Sequence, residues 1–467
     1  MDMHPLPRGS IDQINAASLD LLETVGVKVD HPAVLGKLLS AGAKECDGRV
    51  RLPRRLVEEC VSRAQRSIRL ADRRGGCVEV GADGGTVFWG GNSLCIARGR
   101  DRKEMDSLDL AEFTRLLDAL GHVQGAVGTS ISDYPPQVRD FVGFRILAEH
   151  STKHLRPVIF SPEGPLAIIE MAEVLAGDVP LAERPIVSFG YSIVSPFHWT
   201  TTALELFLRT SGRGLPMMVN AEPMGGGTAP VTLAGLLAQA NAEALSGIVI
   251  LQVLEPGRPC VFNLGFAHML DMRSALATSG RTQDGLIAAA GAQIARYHGL
   301  PSASWISADN SICDEQSTLE KATTCLLHVL GGVNIIWGVG QLETEFTLSP
   351  EQAILDNEIA GICLRAQRGI EVNPEAIALD VIKECALTGD YLGHDHTLSH
   401  FRDEIIESDL TAPRRREDWL AAGALTLGDR LKARVEEILS RPQQPCVTPE
   451  QSQSLREIEQ RWIAKLT

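Results

Sequence analysis

Residues 302–352, SASWISADNSICDEQSTLEKATTCLLHVLGGVNIIWGVGQLETEFTLSPEQ, read as strand, acidic loop, helix, strand, acidic loop and the start of a further helix. Two apolar runs, Ala303–Ser307 and Val333–Val339, each carry a tryptophan and then lead into carboxylates. Trp305 is followed by Asp309 and Asp314, and Trp337 by Glu343 and Glu345. Between the runs, Leu319, Ala322, Leu326, Leu327 and Leu330 recur at helical spacing. Ser349-Pro350-Glu351-Gln352 has the N-cap hydroxyl, first-turn proline and returning Gln of a helix start. A stripe of Leu355, Ile359, Ile362, Cys363 and Ala366 follows, and Gly369 is a natural stop. Strands whose C-terminal ends open into polar loops, each followed by a helix, are the units of a parallel barrel, which gathers those ends on one catalytic face.

Six further apolar runs lie upstream: Thr86–Gly90, Val123–Thr129, Pro157–Phe160, Pro185–Tyr191, Pro216–Val219 and Cys260–Leu264. With the first two they make eight, the number a (β/α)8 TIM barrel needs. The expectation is an α/β chain with an N-terminal helical segment over 1–75, the barrel over 76–370 and a helical segment over 371–467 packed on the barrel. Its 467 residues suit a large barrel with additions. A net charge of −15 argues against nucleic acid and anionic membrane surfaces as partners, without repelling a cation. The most apolar region, 228–254, contains Gln239, Asn241 and Glu243, so a buried barrel helix is expected there and not a membrane span. The start of the chain lacks the pattern of a signal peptide, and the 10 cysteines are scattered with no C-x-x-C pair; both point to the cytoplasm.

Only 5% of residues are aromatic, yet Trp89, Phe160, Phe189, Tyr191, Phe262, Trp305 and Trp337 all fall in or beside these strands. Aromatic faces attract a quaternary ammonium, each contact contributing about 0.5–2 kcal/mol. Alternation along a strand sends about half of such side chains outward, so roughly two to four of them are expected to meet a ligand. Asp309, Asp314, Glu343 and Glu345 are candidate acids, bases or counter-charges, although an acid at Asp314 also suits the helix dipole. Asn92 directly follows the first strand and can hydrogen-bond a ligand. The loop Gly225–Pro230 lacks both common phosphate-binding glycine patterns. His394, His396 and His400 have metal-like spacing, but no further His or Cys cluster completes a set; they are read as groups that orient a substrate, and no bound metal is expected.

Taken with LDLLETVGVKV, GGGTAPVTLAG, ADNSICDEQ, GQLETEFTLSPEQAILDNEIAG and HDHTLSHFR, in that order along nearly the whole chain, these residues resemble the trimethylamine methyltransferase superfamily. The resemblance implies a TIM barrel that moves a methyl group from an amine to the cobalt(I) of a corrinoid (cobalamin) carried by a separate corrinoid-binding protein. The pyrrolysine of the trimethylamine branch is absent, which is similar to the branch acting on quaternary amines such as glycine betaine. The family pocket maps onto Asn92, Asp314, Gln316 and Glu343. The cage implied here draws on Trp89, Phe189, Tyr191, Phe262, Trp305 and Trp337, with Glu345, His394 and His396 around it, in a homo-oligomer. Many members read Leu-Glu-Ser-Gly where this chain has Leu342-Glu343-Thr344-Glu345. The alternatives are a barrel lyase or hydrolase using Asp309 and Glu343 on a small cationic or carboxylated substrate, and a non-catalytic betaine-binding barrel.

Overall fold

The computed structural model describes residues 3–7, 9–81, 84–405, 408 and 410–467. Eight parallel strands form the centre: β1 Val87–Gly90, β2 Val123–Val127, β3 His154–Arg156, β4 Phe189–Ile193, β5 Met217–Ala221, β6 Cys260–Gly265, β7 Ser302–Trp305 and β8 Ile335–Val339. Their hydrogen-bonded order is β3-β2-β1-β8-β7-β6-β5-β4. The ends join where the Leu155 N–H donates to the Ile186 carbonyl (2.9 Å) and the Ser188 N–H to the Leu155 carbonyl (3.2 Å), closing a barrel. A helix follows each strand: α1 Ser107–Ala119, α2 Arg139–His150, α3 Gly164–Ala176, α4 Thr201–Arg209, α5 Leu233–Leu254, α6 Thr282–Tyr297, α7 Glu315–Leu330 and α8 Pro350–Arg368. This is the (β/α)8 barrel expected from the strand–helix alternation.

Two strands lie away from their expected positions. The third is His154–Arg156, ahead of the apolar Pro157–Phe160, and the fourth begins at Phe189, past Pro185. The reason is the same in each case. A proline cannot donate to the ladder, and β3 turns two polar side chains, His154 and Arg156, into the barrel, which a search for apolar runs passes over.

Helices Ser10–Thr24, Pro32–Ser40 and Arg54–Arg63 pack on α5. They cover the face that would otherwise be solvated, which is why this 22-residue helix is apolar all round and 78% buried over its most apolar stretch. A hairpin, Ser67–Ala71 with Cys77–Gly81, spans the boundary expected at residue 75. Its Ile68, Leu70 and Val80 plug the N-terminal end of the barrel against Val87, Met218, Val261 and Ile335. At the other end of the chain, helices Leu427–Ser440 and Pro449–Leu466 lie on the outer shell, beside α1, α8, α2 and α3.

The inward face of α7 is not the expected leucine stripe. Leu319 is exposed, whereas Ser317, Lys321, Thr324, Cys325 and His328 are buried. The polar face exists because of one ion pair: Lys321 Nζ donates to Asp356 Oδ2 (2.6 Å) and to the Gly338 carbonyl (2.8 Å), with both side chains wholly buried. Asp356 also accepts from the Gly340 N–H (2.7 Å) and Gln352 Nε2 (2.8 Å). Helices α7 and α8 are thereby tied to the end of β8, where the acidic loop begins.

Candidate active site

Alternation along β1, β7 and β8 turns Trp89, Trp305 and Trp337 into the barrel, in the same cluster as Val87, Ala303 and Ile335. Phe266, just beyond β6, joins them. Ring centres are 5.8 Å apart for Trp89 and Trp337, 5.6 Å for Trp337 and Phe266, and 5.8 Å for Phe266 and Trp305. His154 stacks on Trp89 at 5.4 Å and His268 meets Trp305 edge-on at 6.1 Å. The same alternation corrects three expected cage members. Phe189 and Phe262 face outward and are wholly buried beneath the helices, Phe262 beside His298 (5.6 Å). Tyr191 also packs against that outer cluster.

Above the rings stand two carboxylates. Glu222 immediately follows β5 and accepts from Ser192 Oγ (2.5 Å). A chain of amides continues from it: Asn220 Nδ2 donates to Ser192 Oγ (3.3 Å) and Asn263 Nδ2 to Asn220 Oδ1 (3.0 Å). Burial raises the Glu222 carboxyl. Burial, and then the charge of Glu222, push Glu345 up to about 8. Glu345 is nonetheless solvent-exposed and Glu222 partly so. Both stand in loops past the C-terminal ends of their strands, where water reaches them. Each negative charge disfavours ionisation of its neighbour.

Glu345 is presented by an unusual backbone. Glu343, Thr344 and Glu345 all have left-handed φ, at 52°, 50° and 69°, a conformation that costs an L-residue about 1–2 kcal/mol. Bonds from the Glu343 N–H to the Asn310 carbonyl (3.0 Å), the Thr344 N–H to the Ala308 carbonyl (2.9 Å) and the Glu345 N–H to Ser307 Oγ (3.1 Å) hold it there.

The other expected residues lie on the rim or elsewhere. Glu343 lines an outer depression of ≈ 530 Å³ with Gln316, Asp309, Arg102, Arg281 and Phe346. Partial burial pushes its carboxyl up, but bonds from Thr347 and Arg102 (2.8 Å) outweigh this and hold it below the usual range. Asp309 is engaged by the N–H groups of Ser279 (2.7 Å) and Gly280 (3.1 Å) and by Arg281 (2.6 Å). Gln316 is exposed and donates to Glu320 (2.8 Å). Asn92 is half-buried just past β1, its carbonyl accepting from Gln341 (2.7 Å). Asp314 caps α7, accepting from the Gln316 and Ser317 N–H groups and from Asn310 Nδ2. Asp314→Ala is therefore expected to cost about 0.5–2 kcal/mol of stability with kcat changed less than threefold. Chemical denaturation beside a turnover assay checks this; a loss of turnover without a loss of stability would restore Asp314 to the chemistry.

His394 and His396 are not at the mouth. His394 caps helix Asp395–Glu404, accepting from the His396 N–H (3.0 Å). That helix ends where Glu404 pairs with Arg365 (2.7 Å), in the last turn of α8. Two residues on, Gln367 reaches Thr86, directly before β1 (3.2 Å), so the segment sits at the opposite end of the barrel. Among the described residues, no group of three or more His, Cys, Asp or Glu side chains is placed to hold a metal ion. Glu222, Phe266, His268 and Arg156 were missed from sequence. Glu222 carried a signal like that used for Asn92, a polar residue just past a strand, while Phe266 and His268 lie beyond the end of β6 and Arg156 lies on the short polar β3.

Residues 1–466 match the trimethylamine methyltransferase (MTTB) family. The chain is 30% identical over 422 residues to trimethylamine methyltransferase MttB of Desulfitobacterium hafniense (strain DSM 10664 / DCB-2), spanning 88% of this chain and 84% of that one. It is 29% identical to MttB of Methanosarcina barkeri (strain Fusaro / DSM 804), over 96% and 92% of the two chains. It is 28% identical to glycine betaine methyltransferase of D. hafniense (strain Y51), over 95% and 94%. The crystal structure of M. barkeri monomethylamine methyltransferase (MtmB) superposes with a TM-score of 0.55 at 13% identity, covering 93% of this chain and 88% of that one; that likeness is one of fold. The chain belongs to the trimethylamine methyltransferase family.

Proposed function

We propose that this methyltransferase takes a methyl group from a quaternary ammonium substrate and delivers it to a corrinoid carried by a separate protein. The observation that supports this is the inward cluster of Trp89, Trp305, Trp337 and Phe266, with Glu222 and Glu345 in the loops past the C-terminal ends of the strands. Ring faces and negative charge together suit an onium head group. When a nucleophile takes a methyl from a quaternary ammonium, the C–N electron pair stays on nitrogen and a neutral tertiary amine leaves, so no general acid is required. What the chain must do is hold the onium, exclude water around it and point one methyl at the opening. The corrinoid supplies cobalt(I) as the nucleophile. Two small sheets border the opening, one joining 95–98 and 101–104 to 341–342 and 347–348, the other joining 224–225, 268–271 and 276–278. They form a rim suited to a visiting carrier protein. A lyase or hydrolase using Asp309 and Glu343 fits less well, because Arg281 and Arg102 hold both carboxylates. Location in the cytoplasm is part of this reading, supported by free cysteines such as Cys60, Cys77 and Cys260. So is self-association, supported by the exposed Ile370, Val372, Leu387 and Leu392.

The direct test mixes the pure protein with a panel of quaternary amines and reduced cobalamin, free and protein-bound. Methylcobalamin and the tertiary amine should accumulate together; a blank panel with both acceptors sinks the proposal. A pH dependence follows as well. Unfolded Glu345 titrates near ~4.3 and the folded group at about 8. Across that window the folded chain keeps a proton that the unfolded chain releases, so stability falls as pH rises. Burial raises Asp284 to about 7 and Asp140 to about 6, which act in the same direction. Tm should therefore drop between pH 6 and 9, and drop less in Glu345→Gln. A quaternary ammonium ligand should raise Tm more at pH 9 than at pH 6, because it favours the ionised pair.

A further inference from the structure

The barrel interior contains a guanidinium left without a counter-charge. Arg156, at the end of β3, is 3% exposed. Its guanidinium carbon lies 5.0 Å from the centre of the Trp337 ring, and it donates to the carbonyls of Pro157 and Gly190 (3.0 Å for the second). Among the described residues no carboxylate forms an ion pair with it, and its Nε has no hydrogen-bond partner. Trp337 Nε1 and Asn263 Oδ1 are likewise buried without partners. The chain treats its other buried arginines differently: Arg145 lies between Glu149 and Glu459, and Arg258 faces Glu255 at 3.6 Å. Burying a cation without an anion is costly, and burial pulls this guanidinium down to about 9. Gly190 leaves room for it: a Cβ there would come 2.7 Å from Nη2, and as close to Met218 Cβ and the Met218 carbonyl on the neighbouring strand.

Resting on the onium reading above, we infer that Arg156 anchors a carboxylate at the far end of the substrate. An onium carboxylate binds with its acid group down on Arg156 and its ammonium up beside Trp305, Phe266 and the Glu222–Glu345 pair, a methyl facing the mouth. Such a site is cationic at its floor and anionic at its rim, so it orients a zwitterion and disfavours the reversed pose. It also accounts for Glu345 in a site for carboxylated amines: the rim carboxylates drive the substrate's acid downward. Arg156 is here a specificity residue and takes no part in bond making.

The test is calorimetric titration of the full-length wild type, Arg156→Met and Gly190→Ala with glycine betaine and with tetramethylammonium. Wild type should bind glycine betaine about tenfold or more tighter than tetramethylammonium. Arg156→Met should lose about ten- to one-hundredfold for glycine betaine, as removal of a buried charge-assisted pair does, and bind tetramethylammonium at least as well as before. Gly190→Ala, which crowds the guanidinium out of its seat, should move the same way by a smaller factor. If wild type holds tetramethylammonium as tightly as glycine betaine, or the variants lose both alike, the anchor is wrong while the onium reading stands. If wild type binds neither and methylates no cobalamin, the onium reading fails and takes the anchor with it. Should Arg156→Met not fold, the wild-type preference and Gly190→Ala decide.

Discussion

Asp356→Ala is expected to lower the stability of the folded chain by about 3–5 kcal/mol, seen as a fall in the urea midpoint. The side chain is wholly buried and serves three donors at once: Lys321 Nζ, the Gly340 N–H and Gln352 Nε2. Its removal strands an ammonium that pairs with no other carboxylate among the described residues, and releases the backbone at the end of β8. That backbone leads directly into the left-handed turn presenting Glu345, so activity should fall with stability. Lys321→Met alone should be costly for the converse reason. The double variant, Lys321→Met with Asp356→Leu, should recover much of the loss, because replacing both members of a buried pair by apolar groups leaves no uncompensated charge. Strict additivity of the two single costs would show that the pair is not coupled as the geometry indicates.

Glu222→Gln with Glu345→Gln should reduce affinity for a quaternary ammonium about one-hundredfold at pH 9, where an onium ligand favours the ionised form of both groups. A unit charge about 5 Å away contributes roughly 3 kcal/mol at an effective dielectric near 20. The water-filled opening reduces each share to about half of that, and two such shares are about two decades in Kd. The replacements are close in size and keep hydrogen-bonding atoms, so packing changes little. Unfolding at pH 9 should meanwhile become harder, since two crowded negative charges have gone. Unchanged affinity would falsify the placement of the ligand beside this pair. Glu345 bears on the point by its backbone too: it occupies a left-handed position, where glycine has the least steric cost. A side chain kept there against that steric cost requires a reason, and charge at the rim supplies one.

Much of the architecture was legible before any coordinates. Hydrophobic runs at regular intervals, the Ser349–Gln352 helix start and the polar strand ends sufficed for the barrel, because strand burial and helix capping are local effects written within a few residues. The site was legible in part. Trp89, Trp305 and Trp337 were found, and face inward. Phe189, Phe262 and Tyr191 were equally good candidates by type and place, but the face a strand residue takes depends on register, and one step of register reverses it. The histidines at 394 and 396 looked like site residues because spacing along the chain says nothing about which end of a barrel a later segment reaches. The leucine stripe of α7 misled for a related reason: the buried side of a helix is set by what packs on it, and here that is Asp356.

The sequence by itself determined the family, the barrel and the supply of aromatic and acidic groups at its strand ends, since these rest on composition and short-range periodicity. Only the tertiary structure decided that Arg156 lies over Trp337 and that Glu222 and Glu345 feel each other's charge. Those residues come from three different strands or the loops after them, and closure of the sheet alone brings them together. Their charges and rings acquire a common function only at distances of a few ångströms, which no spacing along the chain encodes.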